Sequence, residues 1–320
     1  MNQLPASADV VVLGGGIIGL TTALELARAG VKVCVLDHGV PGREASWAGG
    51  GILSPLPPDH PAPEIKTLLD ESLARYPAYC DELREATGVD PEYWICGAHV
   101  QGIGGERWFP GVAQVRNPRL IKALLLALRQ HGVRLQAHTP AVGWQQLAGR
   151  LTGVITPHGV IACGQAVLAA GAWSGDLIQL PMRPVKGQML LLRGNPNALD
   201  HIRMDDQIYL IPRREGVVLL GSTLEDAGFD MAPTMQARDS LMDCARHLWP
   251  GVSEFRVEHQ WAGLRPRLAS ESPRICAAPR IHGLFLNTGH YRLGITLSLA
   301  SAKRCAVLIS GKGGRADLRL

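Results

Sequence analysis

The run Asp9-Val10-Val11-Val12-Leu13-Gly14-Gly15-Gly16-Ile17-Ile18-Gly19-Leu20 sets the architecture expected of this chain. Its apolar head reads as a short buried strand, its glycines as a tight turn, and its tail as the start of a helix. Gly14, Gly16 and Gly19 have the G-x-G-x-x-G spacing. The first glycine lets the chain turn sharply, the second lets a pyrophosphate approach the backbone, and the third lets the helix pack close to the strand. The helix N-terminus offers unpaired N–H groups and a positive dipole end to the phosphates. The spacing alone is a weak signal, and its surroundings strengthen it. A helical pattern continues through Leu20, Ala23, Leu24, Leu26 and Ala27, Gly30 closes it, and a second strand from Val31 to Leu36 ends on Asp37. An acidic residue at that point accepts a hydrogen bond from a ribose hydroxyl. This unit predicts an α/β chain with a Rossmann-like dinucleotide-binding domain.

Composition narrows the class. With 320 residues, 46% hydrophobic and 19% charged, the chain can bury a sizeable core in one large or two smaller domains. The net charge of +4 forms no long basic run, so nucleic acid is not indicated. None of the seven cysteines falls in a C-x-x-C pair, which argues against zinc and thioredoxin chemistry and for reduced buried thiols. The N-terminus lacks a basic leader, and the apolar helical stretch near Leu120–Leu128 is too short to span a bilayer. A cytoplasmic protein without a membrane partner is the expectation.

A second glycine cluster, Gly39 to Leu53, follows Asp37 so closely that it implies a second close approach of backbone to ligand. Pro55 to Pro63 reads as a linker, Glu64 to Ala86 as a helix, and Cys96 to Gly111 has no assignable pattern. Asn117-Pro118 opens a helix through Leu128, Val133–Ala137 is a strand, and the segments 142–144, 151–156 and 160–162 form an antiparallel meander. Ala166–Ser174 is a buried parallel strand that returns to the central sheet and brings Gly171 and Ala172 near the ligand. From Val185 short strands alternate with turns around a helix near Met235–Leu248. Leu284–Asn287 is apolar again, and a final helix runs from about Ile295 to Ile309.

Taken in order, Gly14–Gly19, Ala45–Leu53, Val167–Ser174, Pro184–Gln188, Tyr209–Pro212, Trp261–Pro266 and Gly289–Gly294 resemble the D-amino-acid oxidase superfamily of flavoproteins, and within it the bacterial glycine oxidases. The similarity runs from Ala8 to about Ser310. The resemblance implies an FAD-binding domain of the glutathione-reductase type at residues 1–58, 112–184 and 262–320. It implies an α+β substrate domain on a mixed, largely antiparallel sheet at residues 59–111 and 185–261. FAD is the implied cofactor, a small amino acid the substrate, O2 the electron acceptor, and a homo-oligomer the assembly. The implied reaction is oxidative deamination of glycine or a related small amine, such as sarcosine or a small D-amino acid. Its products are an imine or 2-oxo acid, ammonia and hydrogen peroxide, with dehydroglycine supplied to the thiazole of thiamine.

The resemblance also carries residue roles. Gly14, Gly16, Gly19, Ile17, Ile18, Asp37, His38, Ala45, Ser46, Gly50, Gly51 and Ile52 match cofactor-binding positions. Ala141 matches the adenine side, and Gly171 lies with it near the cofactor. His290, Tyr291, Arg292, Leu293, Gly294, Ile295 and Thr296 match the segment that meets the flavin, and Arg265 and Arg292 match the arginines that hold substrate, with Tyr209 beside them.

The residue types suit that chemistry. A planar guanidinium grips a carboxylate through two parallel hydrogen bonds, which orients the amino acid as well as binding it. The amine reacts in its neutral form, so no strong base is obligatory, and a structural role for His290 outweighs acid–base work. The positive end of the final helix stabilises negative charge on the flavin by about 0.3–2 kcal/mol. Trp47, Trp173 and Trp261 read as packing residues, and Lys186 as solvated or structural.

Three departures leave alternatives open. The region from Cys96 to Val112 is shorter than in such enzymes, Leu293 stands where they carry Asn, and Pro273–Pro279 lacks their glycine. These departures motivate one alternative, a catalytically impaired flavin-binding paralogue, and a dehydrogenase that passes electrons to a quinone is another.

Overall fold

The computed structural model describes residues 4–55, 63–270 and 272–311. Its centre is a six-stranded sheet in the order Arg274–Ala277, Leu284–Thr288, Gln165–Leu168, Val10–Leu13, Val33–Leu36, Arg134–Gln136. All neighbours are parallel except the first pair, which is antiparallel. The first strand, Val10–Leu13, is fully buried, and its alternate residues serve two cores. Val10 and Val12 pack with the helices Ile17–Arg28, Asn117–Gln130 and Gly294–Ile309, while Val11 and Leu13 pack with the three-stranded meander that carries Leu151, Val154 and Ile161. Period-two alternation therefore sorts one strand between a helical layer and a β layer. The long helix Pro63–Thr87 joins the helical side and buries Tyr76 and Tyr79. The expected linker lies mostly in residues 56–62, outside the described residues.

The chain leaves Val10–Leu13 for Val33–Leu36 on one side, and Gln165–Leu168 returns on the other. A crevice opens at such a reversal, outside the carboxyl ends of the strands.

The second layer is a seven-stranded mixed sheet in the order Arg256–Leu268, Met182–Arg193, Val217–Gly221, Tyr209–Pro212, Ile202–Met204, Ala98–Gly102, Gly105–Phe109. Helix Met235–Leu248 covers it, placing Leu241, Met242 and Ala245 on Leu190, Leu210 and Leu220. The two longest strands, Met182–Arg193 and Arg256–Leu268, pair along most of their length and run through residues 184–185 and 261–262, where the sequence suggests domain boundaries. The unpatterned stretch Cys96–Gly111 contains a β-hairpin at the edge of this sheet. Ala98 is buried and Val100 and Phe109 pack partly against it, but Ile103 and Trp108 are exposed, so apolar residues fall on both faces and leave no readable period.

Candidate active site

A cavity of about 1130 Å3 lies at the carboxyl ends of the central strands, where Leu13, Leu36, Ala169 and Thr288 reach it. It extends to the face of the seven-stranded sheet, to Tyr209, Gly187 and Arg265. Small-molecule sites commonly occupy roughly 300–1000 Å3, so this one has room for an extended ligand.

At one end the glycine turn performs two separate tasks. Gly14 has φ +107°, and a Cβ there would lie 2.3 Å from the Ala169 carbonyl oxygen. A Cβ on Gly19 would lie 1.9 Å from the Gly14 carbonyl oxygen. Gly19 therefore packs helix against strand and, unlike the other expected cofactor positions, does not line the cavity. A Cβ on Gly16 would meet Ser46 Oγ at 3.2 Å and no other described group that closely, so that residue keeps the cavity floor open. Asp37 is buried, accepting the Gly15 N–H on Oδ2 at 2.7 Å and the Gly39 N–H on Oδ1 at 2.8 Å. Its carboxylate holds the turn in shape and still lines the cavity, with acceptor capacity left for a ribose hydroxyl. Beside it His38 stacks on Trp173 at 4.4 Å, so Trp173 lines the cavity as well as packing.

At the other end stands Arg265. Register pairs it with Val185, and its guanidinium lies over Gly187, where an added Cβ would sit 2.2 Å from Nη2. Nη2 donates to Ser222 Oγ at 2.5 Å and Nη1 to the Thr223 carbonyl at 3.2 Å. Two of five N–H donors fix the fork, and the others remain for an anion. The anchoring segment is held in turn. Thr223 Oγ accepts the Gln188 N–H at 2.8 Å and donates to Glu225. Lys186, 2% exposed, donates to Asp230 at 2.9 Å and to the Ala232 carbonyl at 2.7 Å. Of its two expected roles Lys186 has the structural one. Arg292 is exposed at the cavity rim, its guanidinium 5.5 Å from the centre of the Tyr291 ring. The Tyr209 ring is wedged between Gly50 and Gly221, and its hydroxyl donates to Met189 Sδ at 3.2 Å.

The loop from Gly289 to Gly294 and the first turn of helix Gly294–Ile309 form the third wall. His290 is buried, and Nε2 lies 2.7 Å from Ser301 Oγ. Thr22 Oγ gives its hydrogen to the Ile18 carbonyl and so accepts from Asn287 Nδ2; Asn287 Oδ1 then accepts from Ser301, and Ser301 accepts from His290. This chain of donors assigns the proton of His290 to Nε2. Burial pulls the imidazole pKa from 6.5 down to about 3, so it is neutral and a poor base at neutral pH.

A pH dependence of stability follows. Between pH 6.5 and 3 the unfolded chain binds a proton at His290 that the folded chain refuses. The stability is complete above pH 6.5 and falls with pH by up to about 1.4 kcal/mol per unit. Denaturant unfolding of the native protein and of His290→Gln between pH 7 and 4 should show a shallower slope in the variant; parallel slopes would contradict this.

Two of the sequence departures lose their force. Residues Arg274–Ala277 form the antiparallel edge strand and do not line the cavity. Leu293 packs against the main core and donates its N–H to the His290 carbonyl at 2.9 Å. None of the buried side-chain polar atoms without a partner among the described residues lies on that turn. In the shortened region the hairpin supplies a wall, through Val100, Gln101, Arg107 and Phe109. Sequence reasoning missed Ser222, Thr223 and Gly187; a glycine inside a long strand was the available signal for the last.

The glycine turn, the cavity floor left open at Gly16 and the ribose-competent Asp37 fit an extended dinucleotide. The sequence profile described as FAD dependent oxidoreductase matches residues 9–101 and 95–308. This chain belongs to that family of FAD-dependent oxidoreductases. The glycine oxidase of Pseudomonas aeruginosa is 41% identical over 348 aligned positions, covering 96% of each chain. That alignment is longer than this chain, so the relative has residues without a counterpart here, and the two profile matches meet at the hairpin. The bifunctional protein ThiO/ThiG of Trichormus variabilis is 32% identical over 94% of this chain and 52% of its own length. The crystal structure of glycine oxidase from Geobacillus kaustophilus superposes with a TM-score of 0.93 at 26% identity, covering 98% of this chain and 97% of that one. FAD is the cofactor of this oxidoreductase.

Proposed function

We propose that this FAD-dependent oxidoreductase is an oxidase of glycine or a related small amine such as sarcosine or a small D-amino acid. The observation that carries the reading is Arg265, a guanidinium locked by Ser222 and Thr223 at the end of the cavity away from the glycine turn. It fixes a substrate carboxylate in one orientation, and Arg292 closes on it from the rim. Tyr209 walls the pocket to keep the amino acid small. Substrate enters with a neutral amine and gives up a hydride from Cα and a proton from nitrogen. When bound, FAD would supply the acceptor for that hydride and the route of the electron pair to O2, which with two protons becomes hydrogen peroxide. Water then splits the imine into a 2-oxo acid and ammonia.

Residues Gly14, Gly16, Ile17, Asp37, Ser46 and Ala141 would hold the adenosine and pyrophosphate parts of FAD. Gly50–Ile52 and His290–Thr296 would hold the flavin. The likeness to ThiO/ThiG supports delivery of dehydroglycine to thiazole formation. Seven free cysteines support a reducing, cytoplasmic setting. The chain is organised as a cofactor domain, onto which helix Pro63–Thr87 packs, and a substrate domain whose sheet takes in the whole of strands Met182–Arg193 and Arg256–Leu268, and it assembles as a homo-oligomer.

The test is product stoichiometry in air. Purified protein should form one peroxide and one ammonia for each glycine consumed. Flavin reduction without peroxide would identify a dehydrogenase instead.

A further inference from the structure

The turn Gly49–Ile52 lines the cavity, and behind it three successive carbonyls are tied down. Asn117 Nδ2 donates to the Gly49 oxygen at 2.9 Å, Arg213 Nη2 to the Gly50 oxygen at 2.6 Å, and the Val115 N–H to the Gly51 oxygen at 2.9 Å. In a trans peptide the following N–H points opposite to the carbonyl. The N–H groups of Gly50, Gly51 and Ile52 are thereby presented on the cavity side. The conformation admits no side chain at Gly51, which has φ +74° and would put a Cβ 2.2 Å from the Val115 carbonyl oxygen.

Arg213 differs from the other two anchors. It follows strand Tyr209–Pro212, so it belongs to the sheet that carries Tyr209, not to the glycine turn it holds. It is 8% exposed, and its Nη1 also donates to Gln114 Oε1 at 2.5 Å and the Val115 carbonyl at 3.0 Å. Burial lowers its pKa to about 10, which leaves it cationic at neutral pH. A buried cation on one side of a peptide strengthens the donor on the other, because hydrogen bonds in series polarise one another. It also contributes a fixed positive field across a short low-dielectric gap.

We propose that Arg213 is a positioning residue for the oxidation. It locks the Gly49–Ile52 turn to the substrate-side sheet and, through the Gly50–Gly51 peptide, sharpens the donors that this turn presents to the flavin. The proposal rests on the placement of the flavin against Gly50–Ile52. Its effect is felt by the oxidised cofactor as affinity and by the reduced cofactor as stabilised negative charge.

The experiment compares the native holoenzyme with Arg213→Met and Arg213→Lys. FAD dissociation constants come from cofactor fluorescence released by each protein, and flavin midpoint potentials from titration with a chemical reductant. Loss of a charge-assisted hydrogen bond predicts FAD binding about tenfold weaker in Arg213→Met. Its potential should also be more negative than native. Arg213→Lys keeps the charge and loses the fork, so its potential should return towards native while FAD affinity stays reduced. Native affinity and native potential in Arg213→Met, with or without a lower unfolding temperature, would overturn the proposal. Should Arg213→Met yield no folded protein, Arg213→Lys decides alone: native FAD affinity there overturns it. Neither readout uses glycine, so a protein that glycine fails to reduce would sink the oxidase reading while these measurements still judge Arg213.

Discussion

Replacing Arg265 by leucine is expected to remove saturation by glycine while FAD content stays native. Truncating one partner of a buried, hydrogen-bonded charge pair costs about 2–5 kcal/mol. That cost corresponds to roughly thirtyfold to several thousandfold in kcat/KM. Most of it should appear in KM, because the carboxylate is gripped before and during hydride loss; some should appear in kcat, because a loosely held amino acid presents its Cα–H poorly. The cofactor is untouched because Arg265 is anchored by Ser222 and Thr223, away from the glycine turn. Arg265→Lys should fall between the two, since an ammonium keeps the charge and lacks the fork. Steady-state kinetics with visible spectra of each variant check this. Unchanged saturation by glycine in Arg265→Leu would remove the clamp.

The second large effect separates glycines that make the fold from glycines that make room for ligand. Alanine at position 14 must adopt φ +107° and place its Cβ 2.3 Å from a backbone oxygen. Strain and overpacking together cost about 2–6 kcal/mol, and the turn has no flexible neighbour to yield. Gly14→Ala should therefore lower the unfolding midpoint of the protein without FAD. Alanine at position 16 has ordinary extended backbone, φ −76° and ψ 178°, and meets only Ser46 Oγ that closely. Gly16→Ala should leave the apoprotein as stable as native and weaken FAD binding, because the methyl group occupies the cavity floor. Apoprotein denaturation and FAD titration of both variants distinguish the roles. Equal loss of apoprotein stability in the two would show that Gly16 is there for folding.

The cofactor half of this site was legible because its signals are local. The turn Gly14–Gly19, the acidic end of Val33–Leu36 and the helix after Gly289–Gly294 each combine backbone need and cavity lining in a few consecutive residues. The substrate half was legible only in part. Arg265 was visible, but what holds it was not. Ser222 and Thr223 lie more than forty residues away, and only the register of Met182–Arg193 against Arg256–Leu268 and Val217–Gly221 brings them together. Arg213 was hidden for the same reason, since nothing local marks a basic residue that tertiary packing will bury, and for Lys186 only packing decides between the solvated and the structural role that the sequence leaves open. The hairpin at Ala98–Phe109 escaped because its apolar residues fall on both faces and keep no period.

The proposed oxidation requires that Arg265 orient an amino acid for loss of its Cα hydride to the cofactor. The direct measurement is the visible flavin spectrum of the FAD-loaded protein mixed with glycine under argon. It should bleach with a rate that saturates in glycine for the native chain and shows no saturation for Arg265→Leu. A native flavin that stays oxidised with glycine, sarcosine and D-alanine, yet is readily bleached by a chemical reductant, would contradict it.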